Sequence, residues 1–168
     1  MKTAIRKQMT IRPEVMDLLN DQIGMEMRAS ASYLAKASWC DQRSLVNSAH
    51  FFYKQAEEER EHAMKIFKFI NDNGGAALSP EISDINHNFE DLRTVFVSSL
   101  DQEIAVTDAI FNLFKAARNA NDFVSEQFLQ WFIEEQAEEE DSFRGIIDLI
   151  DLMEDSPLKM IDERIPKE

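Results

Sequence analysis

Apolar residues return every three or four positions along four long stretches of this chain, the period of a helix that buries one face. The first stretch opens at Pro13, which suits a first helical turn with Thr10 or Arg12 near the cap, and its pattern predicts a helix over 13–40. Asp41-Gln42-Arg43-Ser44 is a short polar turn, and the next run reaches Asn71-Asp72-Asn73-Gly74-Gly75, a strong helix stop. A link of that length makes the second helix an antiparallel neighbour of the first. Residues 74–88 have little periodicity and carry Gly-Gly, Ser-Pro and several Asn, which suits a crossover along the length of a bundle. A third helix is predicted from about Phe89 to Arg118, a turn at 119–122, and a fourth helix to about Met153. Asp155-Ser156-Pro157 then caps a short fifth helix whose face carries Leu158, Ile161 and Ile165. The expected fold class is all-α: a four-helix bundle with a long second-to-third crossover and a short C-terminal helix, each long helix about 40 Å.

The inward stripes contain residues that do not belong in an apolar core. On the first helix the stripe reads Val15, Leu19, Gln22, Glu26, Ala29, Tyr33, Ala37. On the second it reads Phe52, Ala56, Glu59, His62 or Ala63, Ile66, Ile70, and on the third Phe96, Ser99 or Leu100, Glu103, Val106 or Thr107, Ile110, Leu113 or Phe114. The fourth gives Phe128, Phe132, Glu135, Glu139, Ser142 or Phe143, Ile146, Leu149 or Ile150. Each long helix thus places a glutamate near its middle on the face that should be buried. Burying an ion costs several kcal/mol, against about 5 to 15 for a whole fold, so several such carboxylates need neutralising. The stripes offer no Lys or Arg opposite them, and multivalent cations are the economical solution. Glu59 and His62 at i and i+3 share one face, so that a bridging carboxylate and an imidazole reach adjacent metals, with Glu26 and Glu103 completing the opposite side. Carboxylate oxygens with one imidazole suit iron or manganese better than zinc or copper. A Glu-x-x-His alone in a charged helix reads first as a solvated face; four stripe-centred glutamates are the stronger signal.

Composition narrows the partners. The 168 residues suit a single domain over 1–168, with 1–12 an N-terminal extension and 155–168 the short fifth helix. A formal charge of −14 argues against nucleic acid and anionic membranes and for cations. The single Cys40 cannot form an internal disulfide, and MKTAIRKQMTIRPE lacks the apolar run of a signal peptide, so a reducing, cytoplasmic setting is expected. No window is long and uncharged enough to span a membrane.

Four separated motifs carry a family resemblance: Asn20-Asp21-Gln22-Ile23-Gly24-Met25-Glu26 with Ala29-Ser30 and Tyr33; Glu58-Glu59-Arg60-Glu61-His62-Ala63; Gln102-Glu103; and the run from Phe128 to Glu140. In that order, with the crossover and the fifth helix, they resemble the non-haem ferritins of the bacterial type. The resemblance implies a homo-oligomeric hollow shell of 24 subunits that oxidises Fe(II) with O2 or H2O2 and stores Fe(III) as a mineral. It implies a first iron site at Glu26, Glu59 and His62, and a second at Glu103, Glu139 and the bridging Glu59, with Gln136 beside it. A third iron site would use Glu58, Glu135, Glu138 and Glu139. Tyr33 and Trp131 match aromatic residues near the dinuclear centre and are candidates for supplying an electron, although Tyr33 on a stripe equally suits a core residue with its hydroxyl bonded to a ligand.

Two departures separate related families. Arg60 follows Glu59 where a bacterioferritin has a haem-ligating Met, and Glu139 is followed by Glu140-Asp141-Ser142 with no histidine, so no haem is expected. One cysteine cannot build the four-cysteine iron module of a rubrerythrin-like peroxidase. A stand-alone di-iron oxidoreductase and an acidic helical interaction protein remain the competing readings. His50 and His87 read as surface or loop residues and Cys40 as a structural or incidental thiol.

Overall fold

The computed structural model describes residues 10–167, so most of the expected N-terminal extension, residues 1–9, lies outside the described residues. Five helices follow in order: α1 (Pro13–Asp41), α2 (Val46–Asp72), α3 (Leu92–Asn119), α4 (Phe123–Leu152) and the short α5 (Leu158–Asp162). Helix α1 packs along α2, α3 along α4, and α1 also against α3, which closes a four-helix bundle with α5 resting against α2. None of these helices is long and apolar enough to cross a membrane.

Helix starts follow capping chemistry. Helix α1 begins at Pro13 after an extended Arg12, as the proline predicts. The third helix begins at Leu92, three residues later than the periodicity suggests, because Asp91 Oδ1 accepts from Thr94 N at 2.7 Å and fixes the cap there. Phe89 is apolar for another reason: it packs edge-on against Trp39 at 6.1 Å from outside the helix. Buried Asp122 caps α4 through Ser125 N (3.0 Å) and also accepts from Arg12 N (2.9 Å), joining the entrance of α1 to the start of α4. Helix α2 has no cap of its own at Leu45. Asp162 supplies it from α5, accepting from Asn47 N (3.1 Å), Ser48 N (2.8 Å) and Ser48 Oγ (2.6 Å).

The crossover over 73–91 is held by side-chain clamps rather than periodic structure. Asn20 of α1 donates to Ala76 O at 3.1 Å and accepts from Leu78 N at 2.8 Å. Gly74 takes a positive φ of 80°, and a Cβ at Gly75 would stand 2.7 Å from Ile70 Cγ2, so the Gly-Gly stop serves both backbone hand and close approach.

The interior divides into two apolar clusters with a polar level between them. One is aromatic, with Tyr33, Phe51, Phe52, Phe96 and Phe143. The other is mostly aliphatic, with Leu19, Ile23, Ile66, Ile70, Ile110 and Leu129. Along every long helix the buried glutamate falls between the segments that feed these clusters.

Candidate metal centre

Glu26 of α1, Glu59 of α2, Glu103 of α3 and Glu139 of α4 are all buried, joined at the same level by His62 of α2 and Gln136 of α4. Glu26, Glu59 and His62 each offer a ligand atom, and these atoms lie within 4.8 Å of one another. His62 Nδ1 is 3.2 Å from Glu59 Oε2 yet forms no hydrogen bond to it, which leaves both atoms free to face a common third party. The edge of the imidazole meets Trp131 at 5.3 Å, and the Lys65 ammonium covers the Trp131 ring at 3.2 Å. The ring of His62 is therefore walled in by packing, with its Nε2 4.0 Å from Glu135 Oε1.

Among the described residues, Glu26 Oε2, both oxygens of Glu59, His62 Nδ1 and Gln136 Oε1 are buried without a hydrogen-bond partner. Unpaired buried acceptors are costly and rare, and so many in one place call for a cation. The donor set is carboxylate oxygen with one imidazole and one amide oxygen, which fits a hard or borderline divalent ion such as iron. Without the ion, protons must do the neutralising. Burial first, then the Glu59 charge, pushes the Glu26 carboxyl well above the usual range, and burial with Glu103 does the same to Glu59. Glu139 is pushed up to about 8, by burial and then by Glu103 and Glu58. Gln22 steadies the group from one turn away, donating to Glu26 Oε1 at 2.7 Å.

The α3/α4 side is arranged differently. Glu103 Oε1 accepts the hydroxyl proton of Tyr33, and its Oε2 accepts from Gln136 Nε2 at 3.1 Å. Gln136 Nε2 also approaches Thr107 Oγ1 at 3.4 Å, and Thr107 donates to Glu140 at 2.7 Å. Burial, followed by Glu103, pushes the Tyr33 phenol upward, so it stays a donor.

The expected third group is looser. Glu58 is half-buried and tied to Gln55 Nε2 (2.8 Å) and Lys54 (3.4 Å), Glu135 is half-buried, and Glu138 is exposed. These do not converge into a cluster as tight as that of Glu26, Glu59 and His62. His50 and His87 are exposed, and Cys40 is buried with burial pushing its thiol up to about 12.

Two readings of the stripes need correction. The fourth helix turns Gln136, not Glu135, into the core, because its inward line runs Leu129, Phe132, Gln136, Glu139, Phe143 and leaves Glu135 on the shoulder. Second, a lysine does stand inside the bundle: Lys36 is 2% exposed, with Nζ donating to Ser99 Oγ at 2.8 Å. Its place one turn after Tyr33 was visible, but a lysine beside a stripe usually extends its stem and leaves its ammonium in water. No sequence pattern distinguishes that from burial. The Thr107–Glu140 pair, spanning two helices, likewise has no local signature.

A family model described as the ferritin-like domain matches residues 16–153. The bacterial non-heme ferritin of Staphylococcus epidermidis is 39% identical over 137 residues, covering 82% of each chain. That of Staphylococcus aureus is 39% identical over 136 residues, 81% of this chain and 82% of the other. Among solved structures, an open-pore ferritin from the hyperthermophilic archaeon Archaeoglobus fulgidus superposes with a TM-score of 0.90 at 29% identity, over 93% of this chain and 96% of that one. A form of that ferritin engineered to close superposes with a TM-score of 0.88 at 29% identity, over 92% of this chain and 96% of that one.

Proposed function

This chain belongs to the ferritin family, and on that premise we propose that it is an iron-storage ferritin with ferroxidase activity, working in the cytoplasm as a hollow shell of 24 copies. Residues 1–168 are read as one domain. Iron is substrate and cargo here. One Fe(II) is held by Glu26, Glu59 and His62, and a second by Glu103, Glu139 and the shared Glu59. Each Fe(II) gives up one electron; two electrons and two protons reduce O2 to H2O2, or H2O2 to two waters.

The observation that carries this reading is the set of buried polar atoms with no partner among the described residues: Glu26 Oε2, Glu59 Oε1 and Oε2, His62 Nδ1 and Gln136 Oε1. Their physical role follows from charge. An anionic, water-poor shell favours Fe(III) over Fe(II), because the attraction scales with the charge of the ion. Glu26 and Glu59 must release their protons as iron arrives, so binding and deprotonation are one event. Tyr33, with its hydroxyl proton directed at Glu103, can stand in for one iron as the donor of one of those two electrons, the proton passing to the carboxylate and a phenoxyl radical remaining. Glu58, Glu135 and Glu138, wetter than the centre and adjoining it through Glu139, serve as a third station for iron moving to the cavity.

The test is size-exclusion chromatography with light scattering and iron detection after a large excess of Fe(II) is added in air. Iron far above a few ions per chain, carried by a particle of about 24 subunits, is the expected result. A small oligomer retaining two or three metals per chain would make this a di-metal oxidoreductase, and no retained iron would overturn the metal reading.

A further inference from the structure

Lys36 is a buried cation among the described residues that the reading above does not use. Its side chain is among the largest fully buried ones in the bundle. Among the described residues its ammonium makes one hydrogen bond, to Ser99 Oγ at 2.8 Å, and no ion pair. Ser99 passes its own proton to Val95 O at 2.8 Å, so it can only accept from the lysine. The ammonium also sits 5.0 Å from the centroid of the Tyr33 ring, attracted by the ring's negative face. Burial pushes Lys36 down to about 8, while Glu103 and Asp101 hold it up, so the group is cationic at neutral pH.

Its position is lopsided. Lys36 lies ten residues from Glu26 on α1, about 15 Å along the helix axis. Its partner Ser99 is one turn from Glu103 on α3, and Tyr33, whose face it covers, is bonded to Glu103. The positive charge is therefore applied to the Glu103 half of the centre through a dry medium, and much less to the Glu26 half.

We propose that Lys36 is a tuning residue: its buried ammonium makes the Glu103 half the weaker of two cation seats, so that an ion there leaves more readily than one held by Glu26, Glu59 and His62. The inference rests on the two-seat reading above. A storage protein must pass its product on, and a fixed like charge next to one seat achieves this without touching the ion. The repulsion grows with the charge of the cargo, so it weighs more on Fe(III) than on Fe(II).

The experiment is anaerobic titration calorimetry of the full metal-free chain with Zn2+, which binds without redox chemistry, at pH 6.5. The unaltered protein should show two unequal steps, ahead of any looser binding at the wetter Glu58, Glu135 and Glu138. Lys36→Met, straight-chained and uncharged, should tighten the weaker step roughly tenfold and leave the tighter one within about twofold, whereas Lys36→Arg should keep the inequality. Lys36→Gln, a second uncharged variant, should match Lys36→Met. A Lys36→Met isotherm that superimposes on the unaltered one, an equal shift of both steps, or a Lys36→Arg variant behaving like Lys36→Met would each overturn the proposal. Failure of the unaltered protein to bind at least two ions per chain would instead overturn the two-seat reading itself.

Discussion

Glu26 and Glu103 occupy the same level of the bundle on facing helices, both fully buried, and differ in that Gln22 engages only one Glu26 oxygen whereas both of Glu103 are engaged. On the α1/α2 side, Glu26 keeps one oxygen unpaired, Glu59 keeps two, and His62 keeps Nδ1. On the α3/α4 side, both oxygens of Glu103 are engaged, by Tyr33 and Gln136, and among the described residues Gln136 Oε1 is left without a partner. A cation arriving on the first side meets ligands that need only lose protons. On the second it must also displace hydrogen bonds, each worth about 1 kcal/mol net. The same side chain at equivalent places would thus make, on the two-seat proposal, a prepared seat and a contested one.

The strongest way to break this contrast is Glu59→Gln, since both proposed seats share that carboxylate. We expect both steps of Zn2+ binding to weaken by about a hundredfold or more, while the metal-free protein gains thermal stability because a buried carboxyl that must stay protonated is replaced by a neutral amide. Titration calorimetry alongside thermal melts separates the two effects. His62→Ala comes next: the tighter step should weaken by roughly tenfold to a hundredfold, with the weaker one little changed. Loss of both steps alike would mean that the two halves are not distinct seats.

Tyr33→Phe sharpens the contrast from the other side. Removing the hydroxyl frees Glu103 Oε1, so the weaker step should tighten about threefold, at a cost of about 1 kcal/mol in metal-free stability. Tightening of the stronger step would refute the assignment of Tyr33 to the Glu103 half.

The smallest effect concerns pH. Glu139 has its pKa raised from 4.5 to about 8, so the folded protein binds that proton more tightly than the unfolded chain does. The associated stability is full below about pH 4.5 and is lost as pH rises through about 8. Metal-free protein should therefore lose melting temperature across that window, and Glu139→Gln should flatten the slope without removing it, because Glu26 and Glu59 are raised as well. An unchanged slope in Glu139→Gln would show that the Glu139 carboxyl is ionised in the folded state throughout.

The contrast also marks where sequence stops being informative. Helix lengths, the crossover and the glutamate on each stripe follow from a period of 3.6 and from local caps, which is why Glu26, Glu59, His62 and Glu103 could be singled out. Whether Glu135 or Gln136 turns inward is a matter of roughly one residue's rotation on α4, about 100°, set by how Phe132 and Phe143 dock rather than by α4 itself. Lys36 was beyond reach for a related reason: its burial depends on Ser99, 63 positions away on another helix. The hydrogen bonds that distinguish the two seats run between helices, from Tyr33 to Glu103 and from Gln136 to Glu103, and no short-range pattern encodes them.

The cap that α5 lends to α2 has a consequence in time. The ribosome delivers Val46 long before Asp162, yet the first turn of α2 holds backbone N–H groups that only Asp162 satisfies. The first turn of α2 is therefore expected to fray until α5 has been made and folded back against it. Chains that stop short lack this latch. They present a loose helix start to proteolysis.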